Sequence, residues 1–204
     1  MPLCGLGGAA TGYDDQATIP DGTRRTLQRK VVVCGDGAAG KTSLLNVFVN
    51  GEFPYVYEPT VFENHVKDMV VDSTALEMAL WDTAGQEDFD KLRSLSYADT
   101  HIVMLCFSVD IPDSLENVES KWVEEITLHV PGVKICLVAC KCDLREDPAT
   151  KSRLAQYNQR PVQYDDGLAV AKRIRASRYL GQLSPRLRST SIASAVLTLP
   201  SAYQ

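Results

Sequence analysis

The chain has 204 residues, of which 45% are hydrophobic and 23% are charged, so it has enough apolar side chains for one folded domain and global disorder is excluded. Its formal net charge of -5 argues against a protein that binds nucleic acid by neutralising phosphates. No apolar run reaches the roughly 18 residues of a membrane span, and no basic segment followed by an apolar one opens the chain, which predicts neither a transmembrane nor a secreted protein.

The six cysteines are not arranged as a disulfide framework or a zinc site. Four of them lie inside runs rich in Val, Ile and Leu, where a free cysteine behaves as a small apolar residue. Cys140 and Cys142 are too close together for a zinc knuckle, and no second pair accompanies them. We therefore expect a reduced, cytoplasmic protein.

The first half of the chain alternates predicted strands with one helix. Residues 1–27 contain several glycines and little periodicity, which indicates a flexible arm. A short β-branched run predicts a buried strand over 30–34, and apolar spacing predicts a helix over 41–50. Two further strands are predicted over 66–72 and 75–81, joined by a hairpin turn.

The second half continues the alternation. Continuous apolar runs predict buried strands over 102–108 and 133–139, and a helix with one apolar side is predicted over 114–130. Strands that alternate with helices indicate an α/β fold with a mostly parallel sheet covered by helices on both faces.

A phosphate-binding motif lies between the first strand and the first helix. Residues 35–42 read Gly-Asp-Gly-Ala-Ala-Gly-Lys-Thr and match the P-loop pattern G-x-x-x-x-G-K-[ST] in its required context. The glycines let backbone N–H groups converge on an anion, Lys41 can reach the β- and γ-phosphates, and Thr42 can ligate Mg²⁺. The full spacing disfavours the alternative, a chance glycine-rich turn. The predicted phosphate-binding residues are Gly35, Asp36, Gly37, Ala38, Ala39, Gly40, Lys41, Thr42 and Ser43.

A second segment, 82–86, follows the strand that ends at Trp81 and reads Asp-Thr-Ala-Gly-Gln. Asp82 is placed to hold Mg²⁺ through water, and the Gly85 N–H can turn toward a γ-phosphate. The Gln86 amide can both donate and accept, which suits it to orient an attacking water. Alone this segment could be a solvated loop; behind a P-loop it predicts a nucleotide-hydrolysing site.

A third segment predicts which base is bound. Asp143 follows a buried strand, and its carboxylate can accept hydrogen bonds from the N1–H and 2-amino groups of guanine, which adenine does not offer. The stem of Lys141 can lie along the base. A plain charged strand end is the alternative, but the order of the three motifs favours guanine.

Together these residues resemble the Rho family of small GTPases, in the Ras superfamily, over residues 28–180. The Rho-like features are Phe53-Pro54, residues 57–64, residues 81–93 and Leu144-Arg145. The resemblance implies a P-loop NTPase-type fold and a Rho-specific insert helix within 146–162. The long N-terminal arm is similar to that of fungal members.

The resemblance also implies site residues and cofactors. Thr60 would ligate Mg²⁺ and sense the γ-phosphate of GTP, Tyr57 would close over the phosphates, and Phe53 would pack near the base. Leu144 would join the base-binding loop. The implied catalytic residues are Gln86, Lys41, Gly85 and Thr60, and the implied metal ligands are Thr42, Thr60 and, through water, Asp82. The reaction would be slow hydrolysis of GTP to GDP, accelerated by an activating protein that supplies an arginine.

Exchange factors, GTPase-activating proteins and effectors would bind through Tyr57–Asn64 and Asp82–Leu95, in signalling to cell polarity and the cytoskeleton. Loss of the γ-phosphate would release Thr60 and Gly85 and remove that partner surface. Some of the apolar side chains in these segments would form the effector face, among them Val61, Phe62, Leu92 and Leu95.

The family pattern breaks after Leu180. Gly181 to Arg186 lack the Glu-Cys-Ser-Ala type motif that contacts guanine in Rho proteins, so the last strand and helix are predicted to be atypical or missing, with a disordered tail over 181–204. The final four residues contain no cysteine, so no prenyl anchor is expected. From Gly167 onward there are six basic and no acidic residues, which indicate a solvated basic face or, alternatively, attraction to anionic lipid.

Two functions follow from these features. The intact motifs favour a guanine-nucleotide switch, and the tail favours a truncated Rho-like interaction protein with impaired nucleotide binding. A small-metabolite kinase is disfavoured because no arginine-rich lid is evident.

Overall fold

A computed structural model describes residues 26–54, 59–71 and 73–181. The predicted arm over 1–27 and tail over 181–204 therefore lie almost wholly outside the described residues, as does Tyr57.

The described residues form a six-stranded sheet with the order β2-β3-β1-β4-β5-β6. Its strands are β1 (Leu27–Cys34), β2 (Phe62–Val71), β3 (Thr74–Thr83), β4 (Ile102–Ser108), β5 (Lys134–Cys140) and β6 (Arg178–Leu180). Only the β2/β3 pair is antiparallel, and every other neighbouring pair is parallel. The mostly parallel sheet predicted from the sequence is confirmed.

Helices cover both faces of this sheet, as predicted. They are α1 (Lys41–Asn50), α2 (Asp90–Ser96), α3 (Pro112–Asn117), α4 (Val123–His129), α5 (Pro148–Ala155) and α6 (Tyr164–Arg173). Leu45 and Phe48 of α1 pack against one face, and Trp122, Ile126 and Val170 are buried against the other. Among the described residues, no helix combines the length and apolarity needed to cross a membrane.

The observed elements differ from the predicted ones at several places, including β1, which begins at Leu27 and not at residue 30. β2 begins at Phe62, because its pairing with β3 continues down to the Phe62–Thr83 pair. The helix predicted over 114–130 is interrupted by a π-helical turn over Val118–Trp122, which apolar spacing alone does not disclose. The last strand, predicted to be atypical or missing, is β6, which is atypically short at three residues and parallel to β5.

The insert segment contains the helix that the resemblance implies. α5 begins after Asp147, whose carboxylate accepts a hydrogen bond from the Thr150 N–H at 2.7 Å, and Pro148 occupies its first turn. The loops that follow β1, β3 and β5 meet at the carboxyl edge of the sheet, where ligands of open α/β sheets bind.

Candidate nucleotide-binding site

The P-loop joins β1 to α1 through a backbone that requires glycine. Gly35 has φ +132° and Gly40 has φ +99°, both left-handed values. A Cβ on Gly35 would overlap the carbonyl of Cys106 in β4, so no other residue fits there. This tight turn aims the N-terminus of α1, with its partial positive charge, at the carboxyl edge of the sheet.

Lys41 points back into the loop. Its side chain is 6% exposed, and its ammonium donates to the carbonyls of Gly35 and Asp36, both at 2.8 Å. Burial lowers the pKa of Lys41, and the carboxylate of Asp82 acts in the opposite direction. The loop therefore holds a cation at its centre.

Three oxygen-bearing side chains meet beside Lys41. The Thr42 hydroxyl donates to Asp82 Oδ2 at 2.5 Å and lies 2.5 Å from the Thr60 hydroxyl. Asp82 is fully buried, and its second oxygen, Oδ1, has no hydrogen-bond partner among the described residues. Burial raises the pKa of Asp82, opposed by the Thr42 hydrogen bond and the charge of Lys41. The structure thus brings together the three side chains predicted to hold Mg²⁺.

The segment that carries Gly85 and Gln86 lies against the P-loop. A Cβ on Gly85 would overlap the backbone of residues 35–37, so this close approach requires glycine. Gln86 is exposed, and its Cγ lies near the position that a Cβ on Gly37 would take. The amide that is predicted to orient water is therefore at the mouth of the phosphate loop.

One cavity of about 600 Å³, a size typical of ligand sites, opens between the P-loop and the Gln86 segment. Its lining includes most of the P-loop, residues 83–86, Thr60 and Lys141. The predicted site residues that are described but do not line it are Gly35, Asp36, Ala39, Phe53, Asp82, Asp143 and Leu144.

The base end of the site is more open. Lys141 has φ +55° and its ammonium lies 3.4 Å from Asp110 Oδ1, while Asp143 is exposed on the 3₁₀ turn Cys142–Arg145. Phe53 is 46% exposed. The guanine contacts expected of Phe53, Asp143 and Leu144 remain predictions.

Sequence reasoning missed the side chains whose hydrogen bonds hold the loops at the phosphate end and at the base end of the site. Arg93 donates at 2.7 Å to the carbonyl of Ala84, and the Trp122 indole N–H donates at 2.7 Å to Asp36. At the base end, Arg145 donates to the carbonyls of Val162 (2.9 Å) and Gly181 (2.6 Å). Arg93 and Arg145 stood within the Rho-like segments without an assigned role. Trp122 lies within the helix predicted over 114–130, where apolar spacing alone gives its indole N–H no role.

Two comparisons with known proteins agree with this geometry. The sequence model of the Ras family matches residues 30–187. The GTP-binding protein Rho3 of Schizophyllum commune is 66% identical over 159 residues, which cover 78% of this chain and 77% of that protein. The GTP-binding protein rho3 of Schizosaccharomyces pombe is 56% identical over 160 residues, covering 77% and 75%. The GTP-binding protein RHO1 of Saccharomyces cerevisiae is 56% identical over 154 residues, covering 76% and 74%.

Proposed function

The chain belongs to the Rho family of small GTPases, which bind GTP and GDP and hydrolyse GTP, and we propose that the cavity described above is the site where it does both. One observation carries this proposal. Thr42 is within hydrogen-bonding distance of both Thr60 and Asp82, and the neighbouring Lys41 donates to the backbone of the P-loop. Gln86 stands at the same cavity. The proposal of a truncated, nucleotide-impaired interaction protein has no comparable observation in its favour.

In the hydrolysis we propose, Gln86 orients a water at the γ-phosphate. The water oxygen bonds to the γ-phosphorus, and the bond from that phosphorus to the oxygen bridging it to the β-phosphate breaks, which yields GDP and phosphate. Lys41 stabilises the charge that gathers on the phosphate oxygens, since its buried ammonium acts where water screens little. Among the described residues no arginine lines this cavity, which fits slow intrinsic hydrolysis and an arginine supplied by an activating protein.

Mg²⁺ fits the side chains beside Lys41. Hydroxyl and carboxylate oxygens are the ligands this cation prefers, and Asp82 Oδ1 is buried without a partner among the described residues. Thr42 and Thr60 would hold the ion directly and Asp82 through water. When bound, it neutralises charge on the β- and γ-phosphates.

We assign guanine selection to Asp143, with the stem of Lys141 along the base and Phe53 and Leu144 beside it. In support, Asp143 is exposed at the turn that follows β5, at the same edge of the sheet as the cavity. Its carboxylate is therefore accessible to a base whose phosphates occupy the P-loop.

Regulators and effectors are the protein partners we propose, through residues 57–64 and 82–95. Val61 is 52% exposed and Leu95 is 72% exposed, so both segments present apolar surface to solvent. The family context places this signalling in cell polarity and cytoskeleton organisation.

Phosphate release from GTP by the full chain tests this assignment. Replacing Gln86 by leucine should slow hydrolysis on the order of 100-fold and leave GDP bound, because water orientation is lost without loss of phosphate contacts. The matched control is Gln159→Leu, since Gln159 is exposed and its side-chain amide donates to Asp113, at 3.1 Å, away from the cavity. Equal hydrolysis by Gln86→Leu and the control contradicts the proposed role.

A further inference from the structure

A chain of side-chain contacts, centred on the buried Trp122 and Arg93, connects the P-loop to the backbone of the Gln86 segment. It consists of Asp36 in the P-loop, Trp122 in the π-helical turn, Arg93 in α2 and Glu125 in α4, and we call it the Trp122 bridge.

The first part of the bridge fixes the P-loop. The Asp36 carboxylate accepts two hydrogen bonds at 2.7 Å, from Asn117 Nδ2 and from Trp122 Nε1. These two donors are five residues apart. In a π-helical turn the backbone bonds run from i to i+5, as Val123 N–H does to Val118 O here, so residues five apart face the same side. The interruption in the helix is thus what lets both donors reach one carboxylate.

The second part fixes the loop that carries Gln86. Arg93 is 1% exposed and uses its guanidinium in five contacts. Two go to Glu125, at 2.6 and 2.8 Å, and one goes to Asp90 at 2.5 Å. The remaining two reach the carbonyls of Ala84 at 2.7 Å and Gln86 at 3.4 Å. Since a guanidinium has five N–H donors, its hydrogen-bonding capacity is filled.

Trp122 joins the two parts. It is fully buried, its N–H is on Asp36, and the guanidinium of Arg93 lies 4.7 Å from its ring centroid, a cation–π distance. The rigid indole of Trp122 therefore contacts both the Asp36 carboxylate of the P-loop and the Arg93 guanidinium that holds the Gln86 segment.

From these contacts we propose that Trp122 and Arg93 are positioning residues for GTP hydrolysis, which set Gln86 at a fixed distance from the P-loop. The inference rests on the proposed function. The side chains of the bridge reach backbone carbonyls on either side of Gly85, whereas the hydrogen bond from Lys41 is accepted by the backbone carbonyl of Asp36, which none of the proposed variants removes. Loss of the bridge should therefore slow hydrolysis of bound GTP more than it speeds the release of GDP.

Single-turnover hydrolysis by the full chain, loaded with GTP and Mg²⁺, provides the test. Trp122→Phe keeps an aromatic ring and removes the indole N–H. Arg93→Lys keeps the positive charge and removes the planar guanidinium, which donates to Glu125 and to the carbonyls of Ala84 and Gln86. Release of fluorescent GDP and the melting temperature are measured on the same samples. The matched control is Glu119→Gln, because Glu119 lies on the same π-helical turn but pairs outward with Arg173.

We expect both bridge variants to slow hydrolysis on the order of 10-fold or more, with a smaller change in GDP release, and the control to behave like the wild type. Hydrolysis that changes no more than GDP release overturns the positioning role and leaves the proposed function intact. A wild-type chain that does not hydrolyse GTP overturns the proposed function, and this inference with it. Should Arg93→Lys fail to fold, Asn117→Ala tests the contact between the bridge and the P-loop, because Asn117 is half-buried and donates to Asp36. Unchanged hydrolysis by Asn117→Ala contradicts the inference.

Discussion

At the phosphate end of the cavity, functional atoms are held by buried side chains, whereas at the base end they lie on an exposed turn. Lys41 and Asp82 are buried, and the loops around them are tied to α3, α4 and the π-helical turn between them. Lys141 is 34% exposed and Asp143 is exposed. Arg145 and the Cys142 thiol hold their turn to the carbonyl of Gly181, the residue after β6. The phosphate end therefore shares the stability of the core, whereas the base end depends on a few contacts at the edge of the sheet.

The largest effect on nucleotide binding should come from a substitution in the P-loop backbone. Gly35→Ala must place a Cβ against the Cys106 carbonyl at a left-handed φ, so we expect nucleotide binding to be lost. Gly132→Ala is the control, because Gly132 also has a left-handed φ, +80°, but open space around it. That control should lose only about 1 kcal/mol of unfolding free energy and still bind GDP. Fluorescent GDP titration of both variants decides the matter, and equal affinities would contradict the steric argument.

The next effect concerns the buried charge at the phosphate end. Glu125→Ala removes two of the five contacts of Arg93 and leaves a buried cation undercompensated. We expect a loss of about 3–5 kcal/mol in unfolding free energy, measured by urea denaturation with GDP present. Glu124→Ala, at the exposed neighbouring position, should change it by less than about 0.5 kcal/mol. Similar losses in the two variants would mean that the bridge does not stabilise this end.

A smaller effect should appear at the base end. Arg145→Lys cannot satisfy the carbonyls of Val162 and Gly181 together, so the turn that carries Asp143 should loosen. Loss of one charge-assisted hydrogen bond predicts GDP release about 10-fold faster. Stopped-flow release of fluorescent GDP measures this. Arg153→Lys serves as the control, since Arg153 is 52% exposed and contacts Asp110 at 3.2 Å; equal rates in both variants would contradict the role of Arg145.

The smallest effect is a pH dependence at Asp82. Burial raises its pKa in the folded chain, so above the ordinary carboxyl value of about 3.9 the unfolded chain gives up this proton more readily than the folded one. Without nucleotide and Mg²⁺, wild-type stability relative to Asp82→Asn should therefore fall as pH rises through the folded pKa. Melting temperatures of both chains across that range test this, and a difference that does not vary with pH would refute it.

The sequence predicted the phosphate-binding residues better than the side chains that hold their loops in place. The P-loop was found because its functional groups lie in eight consecutive residues, whose glycine spacing dictates the local backbone. The contact from Trp122 to Asp36 joins residues 86 positions apart and depends on a π-helical turn. Apolar periodicity placed Trp122 in the core correctly but carries no information on where its N–H points.

The base end shows the same limit. Asp143 follows a predicted strand, so its edge of the sheet could be inferred, but its distance from a base could not. The link from Arg145 to Gly181 spans 36 positions and depends on β6, a strand of only three residues with no periodicity to detect.

Binding of fluorescent GDP to the full chain with Mg²⁺, with GTP and ATP as competitors, tests the central claim most directly. An intact phosphate site with guanine selection at Asp143 predicts tight binding that GTP displaces and ATP does not. Absence of binding by a folded chain, or equal displacement by ATP, would contradict it.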